Sequence, residues 1–207
     1  MREEKIEELE KIIDSLKTIK KEKLTKEPSF IKSEVYRCHL NNDKAITREK
    51  ILKNNKDGSA AIILPVTSDN NVVLTVEPRV FSKRTVGIGI PAGYIEDGED
   101  SYVAALRELE EETGLVPDKL TKMGGFYQDM GCSSAYNETF LATGCKWLKN
   151  QNLDESEYIK YFECTYDEAL ELVDMNYIEG CNAVIALNKA KKYIKKGKSK
   201  DEKRIWC

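Results

Sequence analysis

The first hydrophobic pattern along the chain has the period of a helix. In residues 1–24, apolar side chains recur every three or four positions, with glutamate and lysine between them. The apolar positions are Ile6, Leu9, Ile12, Ile13, Leu16 and Ile19. This spacing predicts an amphipathic helix over residues 1–24. The stripe suits a helix packed on its own domain and, equally, a helix that pairs with a second chain over roughly two heptads.

Short apolar runs separated by polar turns follow, and this pattern is typical of strands. The predicted strands are residues 34–40, 45–52, 59–66, 72–76, 85–90, 120–127, 139–145 and 158–164. The first two form a hairpin around the polar turn at residues 41–43. A helix is predicted after Thr165, which is a favoured N-cap, and a last helix over residues 181–194. Strands followed by helices in this order predict an α/β protein with a mixed sheet and helices on its faces.

One predicted helix, beginning near Ser101, concentrates acidic residues on one face. Glu108, Glu111 and Glu112 are spaced i, i+3 and i+4, so their carboxylates are neighbours on the helix surface. Like charges repel at this spacing, which predicts that the face binds a cation. Carboxylate oxygens suit Mg²⁺ or Mn²⁺. Gly114 is expected to end the helix in the left-handed conformation. The expected buried stripe comprises Val103, Ala104, Leu106 and Leu109.

Composition and charge narrow the partners. The net charge is -3, without the basic excess of a nucleic-acid-binding protein. No apolar run approaches the roughly 20 residues that a spanning helix needs, and the charged N-terminus does not resemble an export signal. We therefore expect a cytoplasmic protein with no nucleic-acid or membrane partner. The six cysteines form no C-x-x-C pair and are interpreted as reduced thiols, and the single histidine, His39, argues against a histidine base.

The acidic helix belongs to a longer pattern. From Gly93 the chain follows G-x5-E-x7-R-E-U-x-E-E-x-G-U, where U is aliphatic. The matching residues are Gly93, Glu99, Arg107, Glu108, Leu109, Glu111, Glu112, Gly114 and Leu115. This resembles an intact Nudix box. The resemblance implies a Nudix α/β/α sandwich with a mixed sheet, extended here by an N-terminal helix and a β-hairpin.

Further features resemble the ADP-ribose pyrophosphatase branch of the family, namely the N-terminal hairpin, the Pro91-Ala92-Gly93 run before the box and the order of elements after residue 153. We expect an N-terminal helix and linker at 1–32, a Nudix domain with its hairpin at 33–195, and a basic tail at 196–207. Because members of this branch exchange N-terminal strands between subunits, the resemblance implies a homodimer.

The resemblance also implies the chemistry, which is hydrolysis of a nucleoside diphosphate linked to another group. Metal ligands would be the carboxylates of the acidic face, which also carry the catalysis, and the carbonyl of Ala92. Arg107 would orient these carboxylates, with Glu99 as its partner. Gly93 would let the backbone pass close to the metals.

The general base is expected on a loop outside the box. Glu157, in the run Asp-Glu-Ser-Glu-Tyr-Ile-Lys, is the first choice, and Glu155 and Glu138 are the alternatives. Arg79 is a candidate phosphate-binding residue, although an isolated surface arginine explains it equally well. Arg84 is a second and weaker candidate.

Two residues depart from the ADP-ribose branch near the expected substrate pocket. Gly89 stands where a glutamate often precedes Pro-Ala-Gly, and Met130 stands at a proline position. The leading expectation remains a nucleotide sugar such as ADP-ribose, cleaved to AMP and ribose 5-phosphate. The alternatives are another diphosphate substrate such as a dinucleotide, and a nucleotide-sensing module without turnover.

Overall fold

The predicted strands and helices are present in the predicted order, together with two additional short strands. The computed structural model describes residues 1–25, 27 and 30–194, so the predicted tail at 196–207 lies outside the described residues. The elements are α1 (Glu3–Leu16), β1 (Ile31–His39), β2 (Ala45–Lys53), β3 (Ala60–Thr67), β4 (Asn71–Pro78), β5 (Val86–Gly89), β6 (Ala92–Tyr94), α2 (Ser101–Thr113), β7 (Leu115–Val116), β8 (Lys119–Tyr127), β9 (Tyr136–Trp147), β10 (Lys160–Thr165), α3 (Tyr166–Asp174) and α4 (Cys181–Ala190).

The mixed sheet is built around β3, which is buried along its whole length. The strand order is β10-β4-β3-β9-β7, with β5 on β4, β6 on β3 and β8 on β9. The pairing of β3 with β9 is parallel, whereas β4 and β6 pair with β3 antiparallel. Ile62 and Leu64 enter one hydrophobic cluster, and Ala61 and Ile63 enter the other. Because successive side chains of a strand point to opposite faces, the sheet carries a hydrophobic layer on each side.

Helices cover both faces of the sheet. Ala104, Ala105 and Leu109 of α2 pack in the cluster that contains Ala61 and Ile63. The other cluster is covered by residues of α1, α3 and α4, which are Leu9, Ile13, Ala169, Leu172, Ala183, Ala186, Leu187 and Ala190. The predicted α/β/α sandwich with a mixed sheet is confirmed.

The N-terminal helix packs on its own domain and is shorter than predicted. Leu9 and Ile13 are buried, whereas Ile19 is 98% exposed. The helix ends at Leu16, because Lys17 adopts an extended backbone and the Thr18 N–H donates to Thr85 Oγ1 at 3.0 Å. A helix reaching residue 24 was therefore a wrong prediction. The apolar stripe is used within the chain, which favours the first of the two interpretations of this helix.

The buried side of α2 also differs from the prediction. Ala104, Ala105 and Leu109 are buried, but Val103 is 56% and Leu106 is 38% exposed. The buried side chains next to β3 are small, so the helix lies close to the sheet. Relative to the prediction, α2 is rotated about its axis, so that the side carrying Glu112 faces inward.

The N-terminal hairpin forms a separate two-stranded sheet of β1 and β2. All residues of β1 are exposed, including Val35 at 68%. One backbone hydrogen bond, from the Ile51 N–H to the Cys132 carbonyl at 2.7 Å, ties β2 to the loop after β8. The hairpin therefore contributes little to the core of a single chain. None of the helices described in this structure is both long and apolar enough to cross a membrane.

Candidate active site

The acidic face of α2 is placed by the ends of the helix. Asp100 caps the first turn by accepting the Tyr102 N–H at 2.8 Å, and Gly114 ends the last turn with φ 74°. β6 runs beside the helix and pairs with β3. The Ala92 N–H donates to Glu112 Oε2 at 3.3 Å, so the backbone before the box and the acidic face meet directly.

Arg107 binds several of these carboxylates. Its guanidinium donates to both oxygens of Glu99 at 3.0 Å, to Glu108 Oε1 at 2.6 Å and to Glu111 Oε2 at 3.1 Å. A further bond reaches the Tyr94 carbonyl at 3.1 Å. Arg107 thus joins the start of α2, its acidic face and β6. The same ion pair lowers the pKa of Glu99.

Gly93 is required because Glu108 approaches its backbone. A Cβ at residue 93 would lie 1.9 Å from the Glu108 carboxyl carbon, so any larger residue would force the Glu108 carboxylate to move away from β6. The reason differs from a turn that needs positive φ, since Gly93 belongs to the short strand β6. The absence of a side chain lets the carboxylate reach the strand.

The carboxylates of the helix differ sharply in their surroundings. Glu112 is 8% exposed, and burial raises its pKa to about 9, with the nearby charges of Glu77 and Glu108 acting in the same direction. Burial also raises the pKa of Glu108, which the ion pair to Arg107 partly offsets. A cluster of acids that disfavours its own ionisation is suited to a cation.

Glu77 is a functional candidate that the sequence did not reveal. It lies at the end of β4, opposite Gly87 of β5, and accepts a hydrogen bond from Arg79 Nη2 at 2.6 Å. Burial raises the pKa of Glu77. The only signal in the sequence is a charged residue that ends an otherwise apolar strand, and this pattern equally describes an ordinary strand end.

These side chains line one cleft with a volume of about 930 Å³. The charged residues in its wall are Lys53, Glu77, Arg79, Glu96, Arg107, Glu108, Glu111, Glu112, Asp154 and Glu157, with Ala92 and Gly93 beside them. Uncharged polar residues in the wall include Gln128, Asn137, Asn152 and Asn182. The predicted metal ligands, Arg79 and Glu157 are therefore brought together, although they come from separate segments of the chain.

The three candidates for the general base lie in different places. Glu157 lines the cleft, in the loop before β10, where its Oε2 accepts the Asp154 N–H at 3.0 Å. Glu155 belongs to the same exposed loop but is not part of the cleft wall. Glu138 lies outside the cleft wall, where it forms an ion pair with Lys122 and accepts a hydrogen bond from the Ser101 hydroxyl. Of the three, Glu157 has access to a ligand.

Arg84 does not join the site. Its guanidinium stacks on the ring of Tyr177, with 4.1 Å from Cζ to the ring centroid, and the residue is absent from the cleft wall. Tyr177 follows α3 and hydrogen-bonds Glu10 of α1. The expectation that Arg84 contacts substrate is therefore corrected, because the arginine packs between the helices on another side of the chain.

The two departures from the ADP-ribose branch also lie in different surroundings. Gly89 is opposite Thr75 in the pairing of β5 with β4, and a Cβ at residue 89 would lie 3.5 Å from Thr75 Oγ1. Met130 is 81% exposed in the loop between β8 and β9 and does not line the cleft. Nothing in the structure explains the methionine.

The buried thiols are suited to packing only. Burial raises the pKa of Cys145 to about 11 and that of Cys164 to about 12, so both are protonated at neutral pH. Neither residue lines the cleft. Thiol chemistry is therefore not part of the candidate site.

The donor set fits a hard divalent cation, although its side chains pair with an arginine here. Across residues 1–25, 27 and 30–194, no three acidic, histidine or cysteine side chains form a ready metal-ligand cluster. Here the Arg107 guanidinium holds Glu108 and Glu111 by ion pairs. Carboxylates and a backbone carbonyl are the oxygen ligands that Mg²⁺ and Mn²⁺ prefer.

Comparisons with known proteins agree with this geometry. A NUDIX domain model matches residues 56–203. An ADP-ribose pyrophosphatase of Bacillus subtilis is 33% identical over 177 residues, which are 83% of this chain and 93% of that protein. A methanol dehydrogenase activator of Bacillus methanolicus is 31% identical over 172 residues, covering 83% and 90% of the two chains. The crystal structure of an ADP compounds hydrolase superposes with a TM-score of 0.69 and 21% identity, covering 86% of this chain and 94% of that one, and this supports the fold. With the box, the fold and the domain match in agreement, this chain belongs to the Nudix family.

Proposed function

We propose that this protein hydrolyses a nucleoside diphosphate linked to another group, with a nucleotide sugar such as ADP-ribose as substrate and AMP and ribose 5-phosphate as products. The observation that carries the proposal is the cleft of about 930 Å³ in which the box carboxylates and Arg79 share one wall. The substrate class is supported by the ADP-ribose pyrophosphatase of Bacillus subtilis.

Mg²⁺ or Mn²⁺ is the proposed cofactor, held by Glu108, Glu111, Glu112 and the Ala92 carbonyl. Such an ion neutralises phosphate oxygens and lowers the pKa of a water molecule bound to it. Arg107 holds Glu108 and Glu111 before the ion arrives, and the Ala92 N–H donates to one oxygen of Glu112. These contacts keep the carboxylates at the cleft, and binding of the ion would require Glu108 and Glu111 to exchange part of their contact with Arg107 for the ion.

Two residues outside the box are assigned roles at the diphosphate. Glu157 is the proposed general base, because it lines the cleft and is exposed to water. Arg79 is the proposed phosphate-binding residue, because its side chain is 63% exposed at the cleft and keeps donors beyond the one bound to Glu77. Glu77 orients this guanidinium.

The test is hydrolysis of a panel of ADP-ribose, other nucleotide sugars, dinucleotides and dinucleoside polyphosphates, with Mg²⁺ or Mn²⁺ and with products identified. We expect ADP-ribose to yield AMP and ribose 5-phosphate, and EDTA to abolish turnover. Glu157→Gln is expected to lower kcat by roughly a hundredfold or more. Glu155→Gln, two residues away but outside the cleft wall, is the matched control and should leave kcat unchanged. An equal effect of both variants would remove Glu157 from the role of base.

A homodimer is part of the proposal. Ile31, Val35 and Ile51 share one face of the hairpin, and Ile31 and Val35 are 55% and 68% exposed in the single chain. Burying this face against a second subunit that contributes its own strands would remove it from water. The exchange itself is an expectation from the family resemblance.

Sedimentation of the wild type, Val35→Lys and Glu34→Lys tests the dimer. We expect a dimer for the wild type, dissociation by Val35→Lys, and no change for Glu34→Lys, whose side chain lies on the opposite face of β1. A monomeric wild type would exclude the proposed assembly.

The division into residues 1–32, 33–195 and 196–207 and a cytoplasmic location complete the proposal. The location is supported by the thiols among the described residues, since Cys38, Cys132, Cys145, Cys164 and Cys181 are all unpaired. The segment 1–32 is not structurally independent of the domain, because its residues Leu9 and Ile13 belong to the domain's core.

A second candidate function is control of a partner enzyme. It is favoured by the methanol dehydrogenase activator of Bacillus methanolicus, which is 31% identical over most of this chain. The discriminating assay adds the protein, and separately its Glu112→Gln variant, to a methanol dehydrogenase and measures the rate of alcohol oxidation. Activation by the Glu112→Gln variant would indicate regulation without turnover. Loss of activation in this variant would indicate that activation depends on hydrolysis.

A further inference from the structure

A buried amide at the edge of the cleft has an unused hydrogen-bond acceptor. Asn137, the second residue of β9, lines the cleft and is 1% exposed. Its Nδ2 donates to Asn182 Oδ1 of α4 at 3.1 Å. Its Oδ1 is buried and has no hydrogen-bond partner within the described structure. A buried carbonyl oxygen without a donor is unfavourable, so such an atom in a cleft wall points to a ligand that supplies the donor.

The position of this amide relative to the box follows from the sheet. Gly93 of β6 pairs with Ala61 of β3, and Ala61 pairs with Glu138, the residue after Asn137. Two strand spacings therefore separate the Asn137 region from the strand beside the acidic helix, which is about 10 Å. Asn137 and the box carboxylates line the same cleft, so a diphosphate bound at the carboxylates would leave its attached sugar or nucleoside in the same cleft as Asn137.

The chemistry around Asn137 favours a hydroxyl donor. Its hydrogen-bond partner, Asn182, is uncharged, and Gln128, elsewhere in the same cleft wall, already accepts a hydrogen bond from Lys53 Nζ at 2.7 Å. The aromatic residues in the cleft wall, Tyr94 and Tyr158, belong to β6 and to the loop before β10, so a base has its stacking surfaces there. Phe126, the cross-strand partner of Asn137, is not part of the cleft wall, so on the cleft side this amide offers hydrogen bonding and no stacking surface, which suits a sugar.

We propose that Asn137, held in place by Asn182, determines specificity by accepting a hydrogen bond from a sugar hydroxyl of the substrate. The inference rests on the proposed function, because it assigns one group of the same diphosphate substrate. The hydroxyl belongs either to the ribose of the nucleoside or to the sugar on the other side of the diphosphate. Asn182 is a positioning residue, since its Oδ1 fixes the amide group of Asn137.

The experiment measures kcat and KM for the wild type, Asn137→Ala and Asn188→Ala with ADP-ribose and with its deoxy analogues. Asn188 lies on the same helix as Asn182 but outside the cleft wall, so its substitution is the matched control. We expect Asn137→Ala to lower kcat/KM for ADP-ribose by roughly tenfold, mainly through KM. For the analogue that lacks the bound hydroxyl, Asn137→Ala and wild type should have equal kcat/KM.

The analogues also identify the source of the hydroxyl. If the wild type and Asn137→Ala have equal kcat/KM for 2′- or 3′-deoxyadenosine compounds, the hydroxyl belongs to the nucleoside ribose. If their kcat/KM values are equal for compounds deoxygenated in the second sugar, the hydroxyl belongs to that sugar. An equal loss for every substrate would reduce Asn137 to a structural role and overturn the proposal. No loss for any substrate would overturn it as well, since water would then satisfy Oδ1 in all states.

Calorimetry measures binding of the non-hydrolysable α,β-methylene analogue of ADP-ribose and therefore tests the inference without turnover. A wild type that binds the analogue but hydrolyses no diphosphate would contradict the proposed function while leaving the inference testable by the affinity of Asn137→Ala. Equal affinity of the wild type and Asn137→Ala for this analogue would contradict the inference alone. A wild type that does not bind the analogue would contradict both.

Discussion

Glu111 and Glu112 are consecutive in the chain but differ in how far water reaches them. The Glu111 side chain is 38% exposed and bound to Arg107, whereas Glu112 is 8% exposed and faces β6. Burial, together with nearby acids, penalises the ionised form of Glu112 and raises its pKa to about 9. The residue at the most buried position therefore depends most on a cation.

This difference gives a pH-dependent prediction for the metal-free protein. The pKa of Glu112 is about 9 in the folded chain and 4.5 for an ordinary glutamate. The stabilisation from this raised pKa is complete below pH 4.5 and is lost as pH rises towards 9, because only the unfolded chain releases the proton over that range. The loss is at most about 1.4 kcal/mol per pH unit.

Thermal unfolding in EDTA from pH 5 to pH 9 measures this effect. We expect the wild type to lose stability relative to Glu112→Gln as the pH rises, and Mn²⁺ at pH 8 to raise the Tm of the wild type only. Parallel pH profiles for the two proteins would show that Glu112 is not buried in the protonated form.

Gly93 provides a second prediction for a single residue. Gly93→Ala places a methyl group against the Glu108 carboxylate, so we expect displacement of that ligand and a loss of roughly a hundredfold or more in kcat/KM. Gly180→Ala is the control, because a Cβ there meets no atom within 4 Å and φ is -71°. Wild-type activity in Gly93→Ala would mean that Glu108 is not needed at its present position.

Sequence alone reached the residues that repeat a recognisable spacing and missed those that act singly. The box residues were found because helical spacing brings Glu108, Glu111 and Glu112 together. Glu77 and Asn137 come from strand ends, and only the pairing of distant strands brings them to the cleft. Arg84 failed as a candidate because the sequence could not show that Tyr177 lies against it.

Among the secondary-structure elements, α1 is the one whose role changed most. Its inward positions fill the core of the domain, and the helix ends where Thr18 bonds to Thr85. Helix propensity alone did not reveal this end, since the residues after Leu16 are compatible with a helix. The short strands β6 and β7 were also missed, because two or three residues carry no periodic pattern.

Leu9→Ala and Ile19→Ala test whether α1 is part of the folded domain. Leu9 is fully buried, so its truncation should lower the free energy of unfolding by about 2–5 kcal/mol. Ile19 is 98% exposed and should change it by less than about 0.5 kcal/mol. Urea denaturation of both variants gives the comparison. Small and equal effects would instead assign the helix to contacts outside its own domain.

At the scale of the whole molecule, the cleft is closed by segments from the full length of the domain. β4, β6, α2, the loop before β10 and the start of α4 each contribute lining residues. The family resemblance predicted the sandwich as a whole, because the box specifies its helix and its neighbouring strand. Which loop and which strand ends complete the cleft depends on register, and register is decided by packing between distant strands.

The parallel pairing of β3 with β9 determines how the protein reaches this structure. The acidic helix lies in the chain between these two strands, so the central pairing closes a long loop that contains the helix. Contacts between distant segments slow folding, and domains dominated by them fold over about milliseconds to seconds. Refolding can be monitored by tryptophan fluorescence with and without divalent ions. We expect the ions to leave the refolding rate unchanged, because the carboxylates converge only after β3 and β9 have paired. During synthesis, a chain that ends before residue 136 would lack β9 and would leave one edge of β3 unpaired. This order makes the nascent chain prone to aggregation until late in its production.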